Sequence, residues 1–322
     1  MSRPIAIAHS LPDSDALALI VAADYDLPLP VSCTLTSPGV NDTYRIKTEG
    51  RTFFYRIYRA GWRTAADIQY ELELLLHLRR VGVPISVPVP KPDGSYVTAL
   101  ALAEGVRPAV LFTEAEGQVL AYTAADAFEY GCAAGRLHNG MDSFRSDLPR
   151  VAVNLETLLE QPLRLIRPFA ERLGRWAFFA DAGDRLLARV HRVEPLLEQG
   201  ICHGDLHGHN VHKTKDGGLT LFDFDCGGPG YRAYDLACYR WAVSRHAPNA
   251  EPWDAFLRGY RMERPVAQVD LDAVPVFVAI RTLWLLGLQA GWVKQRGTES
   301  VAMWLQGGGE ALRQWMDAEL KE

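Results

Sequence analysis

Cysteine is scarce in this chain of 322 residues: five are present, at Cys33, Cys132, Cys202, Cys226 and Cys238. None forms a C-x-x-C pair and the number is odd, so neither a disulfide framework nor a structural zinc site is expected. A reduced compartment, the cytoplasm, fits this usage. A basic segment followed by an apolar run is missing from the N-terminus, so no secretory signal is expected. Long Lys/Arg runs are also missing, the net charge is −5 and the pI is near 6.0. No nucleic-acid partner is therefore expected. Only one stretch, residues 274–292, is apolar enough to suggest a membrane span. Arg281 near its middle would cost roughly 2.5–3.5 kcal/mol in a bilayer centre. Gln289 and the glycines weaken it further, so a buried core helix and no membrane partner are expected. Internal repeats and low-complexity tracts are absent. What is plentiful is apolar side chain, 48% of the chain, enough for a large core and more than one small domain.

The order of elements falls into two parts. Residues 13–23 read as a short amphipathic helix. Residues 43–48 and 52–58 are β-rich and separated by Glu49-Gly50-Arg51, a hairpin pattern, preceded by the turn-rich loop 37–42. Thr64, with Asp67 three residues on, starts a helix on which Ile68, Leu72, Leu75 and Leu76 recur at helical spacing and which Gly82 ends. Residues 83–90 alternate Pro with Val and Ile and read as extended. Residues 96–103 and 109–113 suggest two more strands. Residues 1–112 thus form one lobe, 113–117 a hinge, and 118–322 a second, mostly helical lobe. In that lobe a helix is expected over 124–139, two or more helices over 153–198, a β island over 201–225, and helices beyond. Gly307-Gly308-Gly309 reads as a break between helices. The fold class is α+β and bilobal.

The β island carries the chemistry. It begins Cys202-His203-Gly204-Asp205-Leu206-His207-Gly208-His209-Asn210. Asn210 starts a strand–turn–strand unit around Asp216-Gly217-Gly218, and Asp223 lies just past its end. Phosphoryl transfer requires a metal held by hard oxygens, which an Asn carbonyl and an Asp carboxylate supply, and a further carboxylate to orient the attacking hydroxyl. Asp205 and Asn210 have the Asp-x-x-x-x-Asn spacing that protein kinases use for these tasks.

The run His-Gly-Asp-Leu-His-x-x-Asn, then Phe222-Asp223-Phe224-Asp225, then Tyr234-Asp235-Leu236-Ala237, resembles the aminoglycoside phosphotransferase and choline kinase superfamily, and within it the homoserine-kinase-like and stress response kinase A-like branch. Gly135-Arg136-Leu137-His138 and Ala279-Ile280-Arg281 extend the resemblance over nearly the whole chain. It implies a protein-kinase-like fold with an antiparallel sheet and one helix in the small lobe, ATP in the cleft, and Mg²⁺. It implies Asp205 as catalytic base and Asn210 and Asp223 as metal ligands. Asp235 would brace the catalytic loop, His203 would pack beneath it, and Asp225 would stand behind the metal or help a second one. The family's phosphate-binding cation falls at Arg56, an Arg in place of the Lys of protein kinases; Lys47 and Arg59 are secondary candidates. Glu71 would partner Arg56, Phe54 would roof the adenine, and the backbone of Phe112 to Glu114 would meet its edge. The loop 37–43 would cover the phosphates without a G-x-G-x-x-G pattern.

Alternative readings accompany these. The histidines at 203, 207, 209 and 212 admit a metallohydrolase, although Asn210, the hairpin and Asp223 fit phosphoryl transfer better. Arg56 and Glu71 alone would suit an ordinary surface pair. Arg281 would either carry its head to the surface or reach an acidic substrate group, because a charge in an apolar helix needs a partner. Cys202 and Cys226 read as packing, and Trp284, Trp292, Trp304 and Trp315 as core. The expected activity is an ATP-dependent transfer of the γ-phosphate to a hydroxyl of a small molecule, homoserine or another amino alcohol. A protein Ser/Thr acceptor is the main alternative, with an aminoglycoside acceptor or a catalytically inactive binding protein behind it.

Overall fold

Alternating apolar and polar residues from Asp42 onward put one side of each strand into a core, and the outcome is an antiparallel sheet. A computed structural model describes residues 5–247 and 249–321, the side chains of Ser37 and Pro38 excepted. The chain folds as two units. The first runs to Gly117 and adds Arg145–Pro149 and His212–Phe222; the second comprises Gln118–Phe144, Arg150–Val211 and the chain from Asp223. The first break falls at the end of the stretch read as a hinge. Residues 145–149 and 212–222 group with the first unit, whereas the sequence reading placed all of 118–322 together.

In the first unit, β1 (Ser32–Pro38), β2 (Asp42–Thr48), β3 (Arg51–Ile57), β4 (Val97–Leu102) and β5 (Gly105–Thr113) form a sheet in the order β1-β2-β3-β5-β4. The β2–β3 turn is Glu49-Gly50, with Gly50 at φ 77°, a conformation glycine adopts without steric cost. β1 was not foreseen. Its polar Ser and Thr residues hide the strand pattern, and a register shift between Leu35 and Ser37 breaks its alternation. The loop 37–43 accordingly shrinks to a tight turn in which the Gly39 N–H donates to the Asn41 carbonyl at 3.1 Å; the side chains of Ser37 and Pro38 lie outside the described residues. α1 (Ser14–Asp24), capped by Asp13, lays Leu17 and Val21 against Tyr44, Ile46, Tyr55 and Leu111. α2 (Ala65–Arg80) starts at the capping box: Asp67 N–H donates to Thr64 Oγ1 at 3.1 Å, and Thr64 N–H to Asp67 Oδ2 at 3.0 Å. Arg107, fully buried, donates to Asp42 Oδ2 at 2.7 Å and to the Tyr58 carbonyl at 2.8 Å. A buried cation is tolerable only with such partners.

The second unit holds β6 (Gln118–Val119), α3 (Ala124–Asp142), a wide turn at Glu156–Glu160, α4 (Gln161–Arg172), α5 (Trp176–Val193) and β7 (Gln199–Cys202). The chain then forms the hairpin β8 (Val211–Lys213) and β9 (Leu219–Leu221), which from His212 groups with the first unit, and resumes the second unit with β10 (Gly228–Tyr231), α6 (Arg232–His246), α7 (Glu251–Glu263), α8 (Gln268–Gly291), α9 (Val293–Arg296) and α10 (Thr298–Glu319). β10 pairs antiparallel with β7 and extends the β island beyond the expected Asp225. Three of its four residues are Gly, Pro and Gly, so no strand propensity marks it. α8 is the single described helix long and apolar enough to cross a membrane, and 67% of its most apolar window is buried inside the fold.

The expected break at Gly307-Gly308-Gly309 does not occur; α10 runs through it. The glycines allow close approach instead. A Cβ at Gly308 would stand 2.5 Å from Leu286 Cδ2, and one at Gly309 3.0 Å from Phe179 Cζ. Tertiary packing overrides the low helix propensity here. The same device joins α3 to α7, where a Cβ at Gly131 would lie 2.0 Å from the Phe256 carbonyl oxygen. Because that obstacle is backbone, Gly131→Ala is expected to lower unfolding free energy by about 1–3 kcal/mol, read as a reduced urea midpoint. An unchanged midpoint would contradict the close helix contact.

Candidate active site

On β3 of the first unit, Arg56 lies 9% exposed. Its Nη1 donates to Glu71 Oε1 at 2.7 Å, and Tyr58 Oη donates to Glu71 Oε2 at 2.9 Å. Glu71 comes from the buried face of α2, so strand and helix are tied by a desolvated, hydrogen-bonded pair and not by a solvated surface pair. The Phe112 ring lies under the Arg56 guanidinium at 4.8 Å. Phe54 is half-buried and opposite Phe112 in the β3–β5 register, and Glu114 is exposed. Of the backbone expected to meet an adenine, Thr113 is already engaged: its N–H donates to the Val87 carbonyl at 2.9 Å and its carbonyl accepts from Ser86 Oγ at 2.6 Å.

In the second unit the loop after β7 rests on Asp235, in the first turn of α6. Asp235 Oδ2 accepts from the His203 N–H at 2.6 Å, and Oδ1 from the Gly204 N–H at 2.7 Å. Gly204 has φ 77°, and a Cβ there would fall 2.1 Å from the Cys226 carbonyl oxygen, so the turn admits glycine alone. His203, fully buried, accepts the Asp205 N–H on Nδ1 at 3.3 Å and packs on Phe224 with ring centroids 4.4 Å apart. A second histidine supports Asp235 from α3. Tyr260 Oη donates to His138 Nδ1 at 2.6 Å, which leaves Nε2–H to donate to Asp235 Oδ2 at 3.0 Å; the network thus assigns the neutral Nε2–H tautomer. Burial, aided by Arg232 and opposed by Asp235, pushes the His138 pKa down to about 4. Burial disfavours the Asp235 carboxylate, but His138 and the His203 N–H outweigh it and hold its pKa below the usual value.

Asp205 at the top of the loop is held on both oxygens. Asn210 Nδ2 donates to Oδ2 at 3.1 Å and His207 Nε2 lies 3.3 Å from it, while Arg281 Nη2 donates to Oδ1. Burial opposes ionisation, yet His207 and Arg281 keep the carboxyl well below the ordinary carboxylate range. Arg281 itself is 2% exposed, with Trp241 and Trp284 rings at 5.3 and 5.7 Å. Its head does not run to the surface; the carboxylate it meets within the fold is that of Asp205. The periodicity of α8 shows that Arg281 needs a partner but carries no sign of which one.

Asn210 also directs Nδ2 to the Asp205 carbonyl at 2.9 Å. Its two amide protons are thereby turned toward Asp205, and Oδ1 is the atom left to offer a cation. Asp223 follows β9 at φ 67°, ψ 59°. A left-handed non-glycine residue is strained, and such strain concentrates at functional sites. Asp225 is buried, and its carbonyl accepts from Arg150, which also donates to the Gly227 carbonyl and so clamps the turn behind Asp223. Asn and Asp oxygens are a hard donor set that suits Mg²⁺ bound through few protein groups. Among the described residues no group of three or more His, Cys, Asp or Glu is arranged to hold a metal ion, so the histidines 203, 207, 209 and 212 are not gathered around a common centre. Arg150 escaped the sequence reading because its partners lie more than seventy positions away, with no local pattern to reveal them.

The profile of a phosphotransferase enzyme family, the aminoglycoside phosphotransferase type, matches residues 34–269. An uncharacterized protein of Deinococcus radiodurans is 43% identical over 93% of this chain and 89% of its own length. A homoserine kinase of Brucella canis is 29% identical over 78% of this chain and 76% of its own. Among solved structures, a microcompartment-associated aminopropanol kinase superposes with a TM-score of 0.78 at 24% identity, covering 94% of this chain and 98% of that one.

The support under the loop has a pH signature. His138 is neutral in the fold and has an ordinary pKa near 6.5 when unfolded. Stability is therefore complete above about pH 6.5 and is lost as pH falls toward 4, by about 3 kcal/mol for this residue. Urea unfolding at pH 7 and pH 5 is expected to show the loss, and His138→Gln to flatten it. An equal slope in the variant would contradict the assignment.

Proposed function

The chain belongs to the phosphotransferase enzyme family, and from that membership we propose an ATP- and Mg²⁺-dependent kinase that moves the γ-phosphate to a hydroxyl of a small molecule, homoserine or another amino alcohol. The observation that carries this reading is the loop from His203 to Asn210. It presents one carboxylate, Asp205, on a turn that Asp235 holds through the His203 and Gly204 N–H groups, with Asn210 and Arg281 bonded to its two oxygens. The names of the homoserine kinase and the aminopropanol kinase that the chain resembles support an amino-alcohol acceptor.

The roles follow from chemistry. Asp205 orients the acceptor hydroxyl and takes its proton. A carboxylate so depressed in pKa is a weak base, so its main contribution is aim, as suits a loose phosphoryl-transfer transition state. Asn210 Oδ1 and the Asp223 carboxylate are the oxygens for Mg²⁺, which when bound neutralises charge on the transferring phosphates. Arg56, set by Glu71, is the fixed cation for the nucleotide phosphates; its fork of donors meets phosphate oxygens as the Lys of protein kinases does.

Steady-state kinetics with an acceptor panel test the reading. Asp205→Ala is expected to lower kcat by about 10²–10⁴-fold with nucleotide binding retained. Asp223→Ala should raise the Mg²⁺ concentration needed for half activity. Arg56→Ala should raise the KM for ATP more than it lowers kcat, with partial return in Arg56→Lys. Equal turnover by Asp205→Ala and wild type would sink the assignment of the base.

A further inference from the structure

Two buried hydrogen-bond donors at the loop that carries Asp205 have nothing to donate to. The first is Tyr122, at the entrance to α3. Its hydroxyl is buried without a hydrogen-bond partner. The phenol lies beside Gly208 of the catalytic loop, where an added Cβ would stand 3.2 Å from Oη. A backbone N–H there can only give to the phenolic oxygen, so the O–H donor stays unused. The ring is held in place by stacking on His246, with centroids 5.3 Å apart at 21°, and on Tyr239 at 6.0 Å and 24°. Burial pushes its pKa up to about 12, and the charges of Arg281 and Asp205 both act on it. The phenol is thus protonated at neutral pH.

The second donor is the Nε–H of Arg281, buried and without a partner. The rest of that guanidinium is occupied: Nη2 by Asp205, Nη1 by Tyr234 Oη at 3.4 Å and Cys238 Sγ at 3.2 Å, and its vicinity by the two tryptophan rings. Leaving a buried donor unpaired is costly, and native structures rarely do so without a ligand or water to complete the set. Of the described side chains that bear such atoms, these two meet the loop that carries the predicted base, Tyr122 at Gly208 and Arg281 at Asp205.

We propose that Tyr122 Oη and Arg281 Nε form an acceptor subsite beside Asp205, which selects alcohols carrying a second group with oxygen lone pairs, a carboxylate above all. The proposal rests on the kinase reading above and deepens it. An Arg Nε–H can only donate, so the group that meets it must accept. An amine or quaternary ammonium in that place would leave both donors unpaired and set its charge against the guanidinium. A carboxylate would satisfy both with charge-assisted bonds. The subsite therefore favours a hydroxy acid or hydroxy amino acid over a simple amino alcohol.

L-Homoserine and 3-aminopropan-1-ol differ by that carboxylate and form a matched pair. Arg281 also holds Asp205, so the informative variant is the isosteric Tyr122→Phe. Wild-type enzyme is expected to prefer homoserine in kcat/KM. In Tyr122→Phe the KM for homoserine should rise about tenfold, with kcat, the KM for ATP and the KM for 3-aminopropan-1-ol unchanged. The melting temperature should be equal or higher, since the unpaired hydroxyl is gone. A preference for 3-aminopropan-1-ol, an unchanged homoserine KM, or equal losses with both alcohols would overturn the subsite while leaving the kinase reading intact. Failure of the wild-type enzyme to phosphorylate any alcohol would overturn the kinase reading, and the subsite with it.

Discussion

Asp235 receives the backbone N–H groups of His203 and Gly204 on its two oxygens and the Nε2–H of His138 from another helix, and the geometry of the catalytic loop depends on those three bonds. A carboxylate with no water around it must be fully hydrogen-bonded or it is not a carboxylate at all. Here the requirement runs both ways: the loop satisfies the anion, and the anion fixes the loop. Gly204 is forced into its left-handed turn, His203 is locked onto Phe224, and Asp205 emerges with its N–H already bonded to His203. Removing one member of such a network strands the others, so the cost of change is concentrated in this small volume.

The second constraint is the charge balance around Asp205. Arg281 and Asp205 are buried to very different degrees, and the pair works because the guanidinium has tryptophans beside it and a carboxylate at one end. This fixes one oxygen of Asp205 and leaves the other toward Asn210 and His207. The arrangement sacrifices basicity for direction, and phosphoryl transfer asks mainly for direction. In the first unit, Arg56 is likewise held by a carboxylate, that of Glu71, whose other oxygen accepts from Tyr58.

Much of this was legible where the chemistry is local in sequence. The capping box at Thr64, the hairpin around Gly50, the membership of the family and the five-residue spacing of Asp205 and Asn210 are all carried by neighbouring residues. What was not legible depends on distant partners or on packing. β1 hides behind polar side chains and a bulge; β10 is built from Gly and Pro; α10 passes through three glycines because Leu286 and Phe179 need the space. Arg281 announces itself as a buried charge, but only the fold brings it to Asp205, 76 residues earlier. Tyr122 sits in an unremarkable polar stretch, and nothing short of the folded loop distinguishes it from other tyrosines.

The central claim is that Asp205 directs an alcohol at the γ-phosphate of ATP. Phosphorus NMR of purified protein with ATP, Mg²⁺ and an alcohol acceptor tests it most directly, because it separates transfer from hydrolysis by the chemical shift of the product. The account predicts a new phosphomonoester resonance that grows with ADP, requires the alcohol, and disappears in Asp205→Asn. Release of inorganic phosphate alone, or ester formation undiminished in Asp205→Asn, would contradict it.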